Sequence, residues 1–159
     1  MFKLSAEGLE FVKAELKRYE DPYSAIIPAL YRAQDENGWV NEDVYGHLSQ
    51  VMNLPVSKIQ EVAMFYTMFN KTPTGRYHIQ VCTNISCSMA KGRELLDHVL
   101  DRLGLQEGAM SKDGRFTVSR AECLGSCDTA PVVQVNRDAY LENMSESKID
   151  QVLEKLKRA

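Results

Sequence analysis

Arg76-Tyr-His-Ile-Gln-Val-Cys-Thr-Asn-Ile-Ser-Cys87 is the stretch whose reading decides the fold. Arg76 to Val81 reads as a strand, and the chain then passes through a tight loop with a thiol at each end, Cys82 and Cys87. Met89 to Leu103 follows as a helix, with Leu95, Leu96, Val99, Leu100 and Leu103 on its inner face. Further on, Phe116–Ser119, Val132–Val135 and Ala139–Glu142 read as strands, the last two joined across an Asn136-Arg137-Asp138 turn. Ser145 is placed to cap a final helix through Lys157, with Ile149, Val152, Leu153 and Leu156 inward.

The order strand, helix, strand, strand, strand, helix suits a right-handed crossover unit followed by a hairpin and a covering helix, the arrangement of the thioredoxin core. It also locates a second thiol loop. Cys123-Leu-Gly-Ser-Cys127 follows the second strand, with thirty-five residues between it and Cys87, and these four are all the cysteines in the chain. In a parallel strand pair both loops emerge at one end of the sheet, so the four sulfurs can converge there.

Two loops with two thiols each are a usual way to gather four soft ligands around one inorganic centre. Four and three intervening residues fall within reach of zinc without matching its commonest two-residue spacing. A 2Fe-2S rhomb is longer than a single ion, and a four-residue gap also occurs in plant-type ferredoxins, which favours iron. Disulfides would need an oxidising compartment that nothing else in the sequence implies, and a thioredoxin-type dithiol would need a Cys-x-x-Cys, which is absent. Zinc and disulfides stay open on spacing alone. An oxidised cluster with four thiolates carries a charge of about −2, and Gly125 and backbone amides at a helix start near Ser88 are suited to answer it. Ser86, Ser88 and Ser126 could donate to sulfur, but turn and cap roles are the commoner use of serine in such places. His47, His78 and His98 read as structural or solvent-facing.

Upstream of the Lys71-Thr-Pro-Thr-Gly75 linker the pattern is helical. Leu9, Val12, Leu16 and Tyr19 share a face, and Asp21 to Asn37 ends at a plausible Gly38 cap, with Pro28 inside as a kink unless the helix starts only near Ser24. Asn41 is placed to cap a third helix, and Ser57 with Gln60 reads as a capping box for a fourth running to about Asn70. The last two resemble a helix-turn-helix, but Lys58 is the only basic residue between Ser57 and Asn70. That helix is instead apolar over more than half its circumference, which suits either a doubly covered core helix or one that meets a partner. The expected fold class is α+β: a helical domain over 1–73 and a thioredoxin-like domain over 74–159.

Composition excludes several classes of function. Residues 1–70 hold six Lys and Arg against ten Asp and Glu, and 71–159 hold thirteen against twelve, giving a net charge of −3 that argues against nucleic-acid binding. No stretch suits a signal peptide or a bilayer span, so a cytoplasmic location without direct membrane insertion is expected. No Gly-x-Gly and no Gly-x-x-x-x-Gly-Lys occurs, so a nucleotide used by the protein would be bound by another chain.

Several landmarks in order resemble the NuoE-type, thioredoxin-like 2Fe-2S subunit of respiratory NADH-quinone oxidoreductase, complex I. They are Ser24–Gln34 with Asn37-Gly-Trp39, Glu61-Val-Ala-Met-Phe-Tyr-Thr-Met-Phe69, Asp113-Gly-Arg-Phe-Thr117, Glu122-Cys-Leu-Gly-Ser-Cys127, Ala130-Pro131 and Gln134-Val-Asn136. The resemblance covers nearly the whole chain. It implies a ferredoxin-type C-terminal domain holding one 2Fe-2S cluster on Cys82, Cys87, Cys123 and Cys127. It also implies single-electron exchange with the FMN of an NADH-binding flavoprotein partner (NuoF-type), inside a larger complex peripheral to the cytoplasmic side of the membrane. The chain would be a redox subunit of an oxidoreductase, not catalytic alone. Related subunits serve NAD-linked hydrogenases and formate dehydrogenases. Met64 stands where the family usually has Thr, Ser86 where Pro is frequent, and Ser126 where Ala is common.

Overall fold

The computed structural model describes residues 1–137 and 139–159, so the expected Asn136-Arg137-Asp138 turn includes one residue outside the described set. The chain divides into two compact units, Met1–Pro73 and Thr74–Ala159.

The first unit is helical: α1 (Ala6–Arg18), α2 (Ile26–Asn37), α3 (Glu42–Met52) and α4 (Val56–Phe65). Ser5 caps α1 by accepting from the Gly8 N–H, and Asn41 caps α3 by accepting from the Val44 N–H. α2 is one helix that includes Pro28. A 3-10 turn over Pro22–Ala25 takes the chain to α2, and Pro28 is then the third residue of that helix, where a missing N–H deletes no intrahelical bond. The helix ends at Gly38, whose φ of 85° lets its N–H return to the Gln34 carbonyl. The core joins Val12, Leu30, Leu48, Ile59 and Phe69.

The fourth helix differs from expectation at both ends. Pro55 precedes it with no side-chain cap, so the Ser57/Gln60 capping box does not form. It stops at Phe65 and not near Asn70, because the following residues find other partners. The buried Gln34 amide donates to the Met68 carbonyl at 3.2 Å and accepts from the Asn70 N–H at 2.6 Å. Phe69 is thereby turned fully inward against Tyr31. Ile59 and Ala63 are buried, while Met64 and Phe65 are 60% and 77% exposed, so one side of the helix is left open.

In the second unit, β1 (Tyr77–Cys82), β2 (Phe116–Ala121), β3 (Val133–Val135) and β4 (Ala139–Leu141) form one sheet in the order β2-β1-β3-β4. β1 and β2 are parallel, the other pairs antiparallel. The connection between the parallel strands is not one helix from Met89 but two, α5 (Ile85–Met89) and α6 (Gly92–Leu103). Lys91, at φ 68°, makes the break. Gly92 shows why: a Cβ there would lie 2.7 Å from the Cys82 carbonyl and 2.8 Å from that of Cys87, so the chain turns where only glycine fits. α7 (Glu146–Arg158) starts at the Ser145 cap and buries Ile149 and Leu153 against Leu95, Val99 and the sheet.

Candidate metal centre

The first thiol loop grows directly out of regular structure. Cys82 is the last residue of β1 and lies in register with Ala121, the last of β2, so both loops leave the same end of the sheet. The Cys82 N–H donates to the Val132 carbonyl at 3.0 Å and the Thr83 N–H to that of Ala121 at 3.1 Å. Asn84 then caps α5, and Cys87 sits inside that short helix; no helix starts at Ser88. The Ser88 hydroxyl donates to the Thr83 carbonyl at 2.7 Å, which makes it a turn residue and not a donor to sulfur.

The second loop has little regular structure. Gly125, at φ 76°, brings its own N–H to 3.4 Å from the Cys123 sulfur, the close backbone approach expected of it. Cys127 opens a single 3-10 turn ending at Thr129. Ser126 is also committed elsewhere: its Oγ is 2.9 Å from a Glu142 carboxylate oxygen and 2.6 Å from the Thr129 hydroxyl.

All four cysteines line one cavity of about 300 Å³, walled also by Ile85, Leu124 and Val132. Cys82 and Cys87 are each 3% exposed and pack on Val132, whereas Cys123 and Cys127 are exposed. Burial pushes the Cys87 thiol above its ordinary pKa, a hydrogen bond with Cys82 adds to this, and the Val132 N–H pulls the other way. A thiolate in such a wall needs a cation beside it, which is what a metal group supplies. Among the described residues no three His, Cys, Asp or Glu side chains gather closely enough for a single ion. Four thiols lining one partly apolar cavity are a donor set that fits a 2Fe-2S cluster.

None of the three histidines lines the cavity. His47 accepts from the Leu4 N–H at 3.1 Å, His78 meets the Ser119 hydroxyl at 2.7 Å, and His98 meets Asp150 at 3.0 Å. Sequence reasoning missed Tyr140. Its phenol is held above the usual pKa, first by partial burial and then by the nearness of Cys82, Cys123, Glu142 and Cys87. The signal was there only as an aromatic in a strand; the pairing of Gln134 with both Gln80 and Tyr140 is what carries it to the sulfurs' side of the sheet.

The model of the thioredoxin-like 2Fe-2S ferredoxin family matches residues 12–157. An NADH-quinone oxidoreductase subunit of Rhizobium meliloti (strain 1021) is 40% identical over 150 residues, covering 94% of this chain and 89% of that protein. A second such subunit, from Thermus thermophilus, is 36% identical over 146 residues, 91% of this chain and 81% of that protein. Among solved structures, the NAD+-reducing NiFe-hydrogenase in its air-oxidized state matches with a TM-score of 0.72 at 26% identity, over 84% of this chain. The chain spans only 23% of that hydrogenase polypeptide. Among the described residues no helix is long and apolar enough to cross a membrane.

Proposed function

The chain belongs to the thioredoxin-like 2Fe-2S ferredoxin family, and from that premise we propose that it is the one-cluster electron-transfer subunit of an NADH-oxidising module, with Cys82, Cys87, Cys123 and Cys127 as ligands. The observation that carries this reading is the single cavity lined by all four cysteines. A bound 2Fe-2S cluster supplies storage of one electron at a time. The chain's own residues do the rest. Cys82 and Cys87 hold their side of the site away from water, Gly125 offers a backbone N–H to sulfur, and Ile85, Leu124 and Val132 lower the local polarity.

The donor to this site is an FMN- and NADH-binding flavoprotein subunit within a larger respiratory complex on the cytoplasmic face of the membrane. The matching role in an NAD-reducing hydrogenase is the second reading, favoured by the TM-score of 0.72, and the identity of the co-purifying large subunit separates the two. For the test, anaerobically reconstituted protein is assayed for iron, sulfide and EPR. Two irons and two sulfides per chain, a one-electron EPR signal and no NADH turnover without added flavin subunit are expected; zinc in place of iron, or turnover by flavin-free protein, overturns the reading.

The two units divide the work: residues 74–159 hold the cluster, and the first 73 dock the flavin subunit through the open side of α4, where Met64 and Phe65 lie exposed. A 74–159 fragment should keep the EPR signal and lose the partner. A fragment that cannot retain iron, or that binds the partner as tightly as the whole chain, contradicts this division.

A further inference from the structure

The loop carrying Cys123 and Cys127 is held by side chains where regular structure is missing. A carboxylate only accepts, so the one proton of Ser126 goes to Glu142 at 2.9 Å; the Thr129 hydroxyl, 2.6 Å from the Ser126 hydroxyl and 3.2 Å from the Ser126 carbonyl, then shares its one proton between these two acceptors. The result is a directed chain, Thr129 to Ser126 to Glu142, ending on a charge, an order in which each bond polarises the next. Two backbone bonds run alongside it: the Asn143 N–H donates to the Thr129 carbonyl at 2.7 Å and the Met144 N–H to that of Pro131 at 3.0 Å. Glu142 follows the last residue of β4, so the chain of bonds ties the exposed ligand loop to the sheet.

We propose that Ser126 and Glu142 form a clasp that positions Cys123 and Cys127, slowing loss of the cluster, and that the Glu142 charge holds the cluster's potential down. This rests on the cluster reading above. The first part follows from geometry: Ser126 lies between the two exposed cysteines, and no strand or long helix constrains them. The second follows from charge. The Glu142 carboxylate lies 2.9 Å from the hydroxyl of Ser126, the residue beside Cys127, and an anion there disfavours adding an electron to an already negative group. Because Glu142 is exposed, solvent screens the effect and the shift is modest.

Charge and clasp separate by substitution in the full-length, reconstituted protein. Ser126→Ala and Glu142→Ala should each release iron to excess chelator faster by about tenfold, the lower end of the usual effect of losing a group that orients a metal ligand. The double variant should be no faster than either single, since the two residues act as one unit. Glu142→Gln keeps an acceptor oxygen, so its release rate should stay near wild type while its EPR-monitored midpoint potential moves up. Wild-type release rates in both Ala variants overturn the clasp, and an unmoved midpoint in Glu142→Gln overturns the role of the charge. Hydrogen exchange of the Asn143 amide in the apoprotein gives an arm independent of metal: Ser126→Ala should exchange faster, and equal rates count against the clasp. If the wild type takes up no iron, the cluster reading falls together with the claim on potential, and the exchange arm decides the clasp by itself.

Discussion

The two thiol loops arise at the same end of the same strand pair, yet they are built on different principles. The first is continuous with β1 and α5, its sulfurs are buried on Val132, and its geometry is imposed by backbone bonds and by the close approach at Gly92. The second lies mostly outside regular elements, its cysteines are exposed, and it is held by a glycine in the left-handed region and by the hydroxyls of Ser126 and Thr129. One wall of the cavity is therefore set by the fold and the other by local chemistry. The two exposed ligands both lie on the second.

The strongest way to break this comparison is to exchange the ligands. Any one Cys→Ala change should reduce bound iron by at least about tenfold, because the remaining thiolates lack the charge and softness to hold it. Serine separates the loops: at Cys123 or Cys127 an oxygen ligand open to water should retain a measurable fraction of iron, whereas at Cys82 or Cys87 a buried hydroxyl should retain almost none. Equal iron in Cys87→Ser and Cys127→Ser removes the distinction. The glycines come next. Gly92→Ala places a Cβ against two carbonyl oxygens and should lower apoprotein stability in urea by about 1–3 kcal/mol. Gly125→Ala has open space but a φ of 76°, so about 1 kcal/mol of strain should appear in cluster retention and leave the main unfolding transition in place. A Gly125→Ala apoprotein that unfolds as early as Gly92→Ala contradicts the idea that the second loop is only locally held.

What the sequence made legible was the part fixed by short-range pattern: the strand and helix order of the second unit, the Ser145, Asn41 and Gly38 caps, and four cysteines in two loops. Ala90 and Lys91 are good helix formers and a lone glycine is tolerated inside a helix, so the local pattern reads through Gly92; the break answers the carbonyls of Cys82 and Cys87, which only the fold brings near. The end of α4 departs from the local pattern for the same reason, since Gln34 is more than thirty residues from the Met68 and Asn70 groups it satisfies. The pairing of Ser126 with Glu142 likewise joins residues sixteen apart in the chain.

The smallest expected effect concerns the link between the two strands from which the loops spring. Burial lowers the His78 pKa below the ordinary value of about 6.5. Above that value the ring is neutral in both folded and unfolded chains and stability is full. As pH falls below it, the unfolded chain takes up a proton that the folded one resists, and stability declines until the folded pKa is passed. Urea midpoints at pH near 7.5 and 5.5 should differ more for the wild type than for His78→Gln. If both fall equally, the buried His78 imidazole does not contribute to that pH dependence.

Gln34 has a consequence for how this chain can vary. One side-chain amide reads a carbonyl at Met68 and an N–H at Asn70, two groups a fixed number of residues apart, so it gauges the length of the intervening segment more than its composition. Phe69, the one residue between them, can give way to another large apolar side chain without disturbing either bond. Insertion or deletion of a single residue between Met68 and Asn70 would leave one end of a buried amide unanswered, so natural variants of this segment should differ by substitution and keep their length.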